Sequence, residues 1–171
     1  MTDIDERTVE AVHGRRAVVP DPPFERELAD AMRSRHDARA LLELYGRFVY
    51  GEGEFDAMMR RAIWRALTRR FGDGVRIGRG AICTHPETFE IGSNVFIGEQ
   101  AFLQGRFDGR CVIGDHVWIA SDVTVLRGVT IGAHAVIGTR SLVTNDVPPH
   151  GLAFGIPARV RGVVGDRSKT R

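Results

Sequence analysis

Two short segments and a set of spaced histidines in this chain combine residue types that can move protons or hold charge. The first segment is Thr84-His85-Pro86. A histidine titrates near neutrality, so it is the side chain best suited to take a proton from a reacting group and return it. The second segment is GRFDGR, residues 105–110, which brings Arg106, Asp108 and Arg110 close together. Guanidinium groups can hold a carboxylate or phosphate, and a nearby aspartate can orient a base or act as one; the alternative is a solvated Gly-rich turn. His116 and His134 lie 18 residues apart in VIGDHVWIASDVTVLRGVTIGAHAVIG, residues 112–138. His13, His36 and His150 have no comparable setting. Cys83 and Cys111 are 28 residues apart without a CxxC motif, which suggests neither a zinc site nor a disulfide framework.

The elements that position these residues follow from a repeat. Ile113, Ile119, Val125, Ile131, Ile137 and Val143 are spaced by six. Four residues after each stands Val117, Val123, Val129, Ala135, Ser141 or Val147, all small or β-branched. A helix of 3.6 residues per turn would smear such a period around its cylinder, and strand alternation has a period of two. A chain that turns a corner every six residues, with short strands between corners, forms a parallel β-helix. The beat continues upstream through Leu103, Ile97, Ile91, Cys83 and Ile77, with two extra residues between Cys83 and Ile91 and four between Leu103 and Ile113.

Three openers make one coil, and coils stack at roughly 4.8 Å. Used as a ruler, the repeat places Asn94, His116 and His134 on one corner. Gln100, Asp122 and Arg140 fall on a second, and His85, the GRFDGR loop, Arg127 and Asn145 on a third. Phe96, Phe102, Trp118, Val136 and Leu142 point outward and require a cover. The N-terminal helices and neighbouring subunits are the candidates, which favours a homo-oligomer.

The N-terminal third reads differently. Residues 24–45 and 54–70 each predict a helix, with Pro22 and Pro23 before the first and Met59, Ile63, Ala66, Leu67 and Phe71 as an apolar stripe on the second. Arg60, Arg61, Arg65, Arg69 and Arg70 read as a solvated helix face, since no stacking aromatics interleave with them to suit nucleic acid. The expected organisation is a helical segment over 1–73, a β-helix over 74–148 and a tail over 149–171. The formal net charge of +2 argues against a dedicated nucleic-acid binder. No run of apolar residues is long enough to span a membrane, and MTDIDERTVEAV lacks a signal-peptide core, so a cytoplasmic protein is expected.

The repeats resemble those of the hexapeptide-repeat acyltransferases. IGDHVWIAS, GVTIGAHAVIG and the tail NDVPPHGLAFGIPARVRG are similar to the sugar O-acetyltransferase branch. The resemblance implies a mainly β fold: a left-handed parallel β-helix, a triangular prism of about four coils, behind an α-helical segment. It also implies a homotrimer with active sites in the clefts between prisms. Acetyl-CoA or another acyl-CoA would be the co-substrate, with no metal, and a sugar or small hydroxylated metabolite the acceptor. In that branch a Thr-His-Pro-like segment often carries the base, which points to His85, with Asp108 assisting and Arg106 and Arg110 binding the acceptor. Ala120, Ser121, Thr139 and Thr144 match positions lining the pantetheine arm, and Arg140 and Arg159 are placed to meet phosphates. Three departures stand out: the gap after Thr84-His85-Pro86 is short, GRFDGR has no histidine, and Asn145 stands where a lysine is frequent. They leave open a catalytically degenerate trimeric scaffold. The two stacked histidines, joined by one from a neighbour, leave open a metal site like that of the γ-class carbonic anhydrases.

Overall fold

A computed structural model describes residues 7–10, 17–106 and 109–165. His13 and Asp108 lie outside the described residues. Strand β1 spans Arg7–Glu10, followed by helices α1 (Pro23–Arg35), α2 (Ala38–Phe48) and α3 (Glu54–Leu67). Twelve short strands then wind the prism. They are β2 (Arg70–Phe71), β3 (Arg76–Ile77), β4 (Ile82–Thr84), β5 (Phe89–Ile91), β6 (Phe96–Ile97), β7 (Phe102–Gln104), β8 (Cys111–Ile113), β9 (Trp118–Ile119), β10 (Thr124–Val125), β11 (Thr130–Ile131), β12 (Val136–Ile137) and β13 (Leu142–Val143). The chain closes with β14 (Gly151–Gly155) and β15 (Ala158–Gly165).

The twelve strands sort into three parallel sheets, one per face. The first face stacks β2, β5, β8 and β11; the second β3, β6, β9 and β12, continued by β14; the third β4, β7, β10 and β13. The phase expected from the repeat holds through both irregularities. Ile119 pairs with Ile137, 18 residues on, Ile97 with Ile119, 22 on, and Ile77 with Ile97, 20 on, so each insertion is absorbed without a register slip. The inward residues Ile91, Ile97, Leu103, Ile119, Ile131 and Ile137 are fully buried. Ser141, a polar residue at an inward position, donates from Oγ to the Gly138 carbonyl at 2.6 Å and accepts from the Gly155 amide at 3.1 Å. On the second face Phe96 and Trp118 cover each other with ring centroids 4.8 Å apart.

The corners carry the strain of turning. Asn94, Gln100, His116, Asp122, His134 and Arg140 all adopt positive φ, a region in which Asn, Asp and His are enriched. On the first corner the imidazoles of His116 and His134 stack at 4.7 Å, 8° from parallel. His150, which the repeat had left in the tail, extends the stack at 4.8 Å and 3°. The backbone continues the same ladder, with the His134 amide donating to Asp115 and the His150 amide to Ala133.

The single helix expected over 24–45 is two helices. Asp37 accepts the Ala40 amide at 2.8 Å from an extended backbone, which is the geometry of a helix N-cap and prevents the preceding helix from running through. The helix expected over 54–70 ends at Leu67, where Thr68 turns extended. Three of the five clustered arginines depart from a solvated face, while Arg69 and Arg70 are exposed as expected. Arg60 is buried, and it donates to the carbonyls of Ile77, Phe48 and Gly51. Arg61 pairs with Glu25, and Arg65 with Asp21 and Asp73. These residues, with Tyr45 Oη donating to Ala81 O at 2.7 Å and the Gly80 amide donating to Val49 O, bolt the helices onto the first coil. Ile63, Met59 and Trp64 join Val75, Ile77 and Ala81 in one buried cluster there. The helices therefore cap the open end of the prism.

Two outcomes follow for stability. Arg60→Ala leaves three carbonyls short of a charged donor and should destabilise the protein by on the order of 3 kcal/mol in urea unfolding. A loss below about 0.5 kcal/mol would show the clamp to be unimportant. Burial, then the adjacent His116 and His150, hold the His134 imidazole below its ordinary value, with Asp115 opposing. The unfolded chain takes up this proton first as pH falls, at about pH 6.5, so the linked stability is complete above that pH and declines below it until folded His134 also protonates. His134→Asn, which tolerates the positive φ, should flatten the loss of stability between neutral and mildly acidic pH; an unchanged slope would remove His134 as its source.

Candidate active site

His85 stands where the repeat first breaks. It follows β4, takes a left-handed conformation (φ 49°, ψ 55°), and leads into a 3-10 turn over Pro86–Thr88. Thr88 locks this corner: its amide and Oγ1 both donate to the His85 carbonyl, at 3.0 and 2.8 Å. The His85 Nδ1 lies 3.1 Å from Glu87 Oε1, and both side chains are about half exposed. With the Nδ1 proton facing the carboxylate, Nε2 is the proton-accepting nitrogen. Glu87 was not singled out from sequence; its place two residues after His85 in THPE was the available signal.

The second break, the loop after β7, passes directly over this corner. The Gly105 amide donates to Thr84 O at 2.9 Å. A Cβ at Gly105 would lie 2.5 Å from Thr84 O and 2.7 Å from His85 O, so a larger residue would displace the His85 backbone. Arg106 is exposed on the loop, and its carbonyl accepts the Gly109 amide. Arg110 reaches back to the first face and pairs with Glu90 at 2.5 Å. That contact holds the Glu90 carboxyl below its ordinary range and engages part of the guanidinium that an anionic acceptor would use. Asp108 lies outside the described residues.

Cys83, two residues before His85, is not built as a nucleophile. It is buried and points into the prism, and desolvation pushes its thiol well above its ordinary value. Cys111 is buried as well and accepts the Gly128 amide at Sγ.

The residues matched to a coenzyme A channel divide between two corners. Ala120 and Ser121 follow β9, and Thr139 and Arg140 follow β12, one coil apart on the second corner, where the Arg140 amide donates to Ser121 O at 3.1 Å. Thr144 follows β13 on the third corner, with Oγ1 donating to Asn145 Oδ1 at 2.8 Å. Arg159, on β15, lines a shallow cleft of about 250 Å³ with Asn145, Asp146 and Val147. One prism therefore brings His85, Gly105, Arg106 and Thr144 to one corner and holds Ala120, Ser121, Thr139 and Arg140 on another.

The histidine stack is poorly shaped for chelation. Its rings are parallel, so their in-plane lone pairs run side by side rather than converging on one point. Among the described residues, no group of three or more His, Cys, Asp or Glu side chains is arranged to hold a metal ion. No described helix is long and apolar enough to cross a membrane.

Comparison with known proteins agrees with this architecture. Residues 110–145 match the family model described as bacterial transferase hexapeptide (six repeats). Galactoside O-acetyltransferase of Escherichia coli is 35% identical over 128 residues, covering 73% of this chain and 59% of that protein. The chain thus spans less than two thirds of that relative's length. A hexapeptide-repeat acetyltransferase of Vibrio cholerae, solved with acetyl coenzyme A, superposes with a TM-score of 0.54 at 26% identity, covering 80% of this chain and 89% of that one. A galactoside acetyltransferase solved with coenzyme A gives 0.55 at 25%, covering 84% and 86%. Repeat and fold together define a parallel β-helix like that of the left-handed β-helix acetyltransferases. By its repeats and its curated relatives, the chain is similar to the sugar O-acetyltransferases of that type.

The buried thiols give a direct check. In the native protein Cys83 and Cys111 should react with Ellman's reagent only at the rate of unfolding; fast reaction of either at neutral pH would mean that it is accessible and ionisable.

Proposed function

We propose that this protein transfers an acetyl group from acetyl-CoA to a hydroxyl of a sugar or another small hydroxylated metabolite, with His85 as general base. The observation that carries the reading is the His85–Glu87 pair at a corner where the repeat breaks, half exposed and held in place through Thr88. In the reaction, Nε2 takes the acceptor's hydroxyl proton as its oxygen attacks the thioester carbonyl, and Glu87 stabilises the imidazolium formed. The tetrahedral intermediate collapses, the carbon–sulfur bond breaks, and the imidazolium returns the proton to the departing thiolate. Transfer is direct, in a ternary complex, since the one thiol beside His85 is buried and held protonated. Arg106 sits on the loop over the base, where it would meet the acceptor, and Asp108 of the same segment would assist.

Coenzyme A would lie along the last two coils, against Ala120, Ser121, Thr139 and Thr144, with Arg140 and Arg159 toward its phosphates. Small or exposed side chains at 120, 139 and 140 leave room for a linear thiol arm. Because Ala120, Ser121, Thr139 and Arg140 lie on a different corner of the prism from His85, a cleft that uses both sets needs a second copy, which supports a homotrimer with intersubunit sites.

His85→Ala should lower kcat at least 100-fold, the ordinary contribution of a general base, with little change in the affinity for acetyl-CoA. Unchanged turnover would remove His85 from catalysis. The loop without a histidine favours a second reading, a trimeric scaffold that has lost catalysis. Failure to bind acetyl-CoA at millimolar concentration in a thermal-shift titration would support that reading over the first.

A further inference from the structure

Beside the base, a cleft of about 230 Å³ opens between α2, α3 and the first coil. Its walls include Leu42, Tyr50, Trp64, Leu67, Ile82 and Pro86, the last adjacent to His85. Leu42, Tyr50 and Ile82 are 43, 60 and 45% exposed, so its rim shows apolar surface to solvent. The polar groups within it are nearly all committed. Tyr45 Oη donates to Ala81 O, and Cys83 is a buried protonated thiol. Tyr50 at the rim keeps a phenol to offer. A group bearing several hydroxyls would lose its water partners here without replacement, which is costly. A cavity of about 150 Å³ lined by aliphatic and aromatic side chains holds benzene, so this one admits a substituted ring or a branched aliphatic group.

We infer that this cleft is an acceptor subsite, and that the molecule presenting its hydroxyl to His85 carries an aromatic or branched aliphatic group seated between α2 and the first coil. The inference rests on the reading of His85 as base. The cleft is continuous with that corner through Pro86 and Cys83 and lies on the first coil. The positions matched to coenzyme A lie on the third and fourth coils, roughly 10 Å or more along the prism axis at the usual strand spacing. The acyl donor and the apolar group would therefore reach His85 from opposite directions, which assigns the cleft to the acceptor.

Gly46 supplies the test. It lines the cleft on α2, and a Cβ there would meet nothing within 4 Å. Gly46→Leu should fill the cleft without loss of thermal stability, because leucine is the better helix former. Phenyl and methyl β-D-galactosides serve as matched probes, with binding read from quenching of tryptophan fluorescence, because Trp64 lines the cleft. The phenyl compound should bind the native protein about tenfold or more tightly than the methyl compound, a preference typical of one filled apolar pocket. Gly46→Leu should abolish that preference, and Ile82→Ser at the rim should weaken it. His85→Ala should keep the preference while losing turnover, so loss of the catalytic reading and loss of the subsite are separable. Equal affinity for the two galactosides, or a preference that survives Gly46→Leu, overturns the proposal. So does a change of oligomeric state in Gly46→Leu, which would make the cleft an interface between copies. A preference for octanoyl-CoA over acetyl-CoA that Gly46→Leu removes would assign the cleft to the acyl chain, and also overturns it.

Discussion

The structure depends on the hydrogen bonding of each coil to the next. Phe96 donates to Val117, Gly98 to Ile119, Gly114 to Ile131 and Trp118 to Ala135, all at 2.8–2.9 Å. This ladder runs through every face and corner, so a coil cannot slip by one residue without turning its inward aliphatics outward. Extra residues must then be expelled at a corner. Both insertions, the turn at 86–88 and the loop at 105–110, leave from the third corner, one coil apart. There the backbone is freed from the six-residue pattern, and His85, Glu87, Arg106 and Arg110 gather there. The regularity of the rest is what gives that corner its distinct surface.

A stack of parallel strands also has two open ends, each exposing apolar core and unpaired backbone. At the C-terminal end, β14 joins the second face and folds back antiparallel on β15, which in turn pairs with β1. At the other end the helices close the core, tied by the buried Arg60 and by Tyr45. Capping by helices rather than by another coil has a consequence for the site. A helix bundle set on a triangular end does not seal all of it, and the space left between α2, α3 and β4 is the apolar cleft next to His85. A structural requirement of the solenoid thus furnishes a wall for the neighbouring surface.

Electrostatics at His85 are local. The carboxylate of Glu87 sets the imidazole tautomer, and the backbone is fixed by Thr88 and by the close passage of Gly105. Arg110 is partly neutralised by Glu90, so the positive charge over the corner is less than the GRFDGR segment suggests. Burial keeps Cys83 protonated although it is only two residues from His85. Cys83 faces the core on β4, and the left-handed turn at His85 carries the imidazole to the surface.

The fold was legible in the sequence because a strict period of six admits few other solutions. The inward aliphatics, the corner stacks, the phase through both insertions and the outward Phe96 and Trp118 all follow from spacing alone. The sequence also marked the third corner, because a broken period can be counted. It did not reveal that His150 joins the histidine stack, since residues 148–150 depart from the repeat while their backbone still follows the ladder. It misread the arginines of α3 because helical periodicity separates faces without saying which face meets a neighbour. Arg60 is buried only because α3 lies across the end of the prism, where carbonyls from two other segments converge on it. The break at Asp37, the Glu87 contact and the apolar cleft likewise come from contacts in space. The sequence by itself determined the solenoid, a repeating local geometry written in each hexapeptide. Tertiary structure alone decided how the non-repeating third docks on it, because that depends on shape and hydrogen-bond partners brought together from distant parts of the chain.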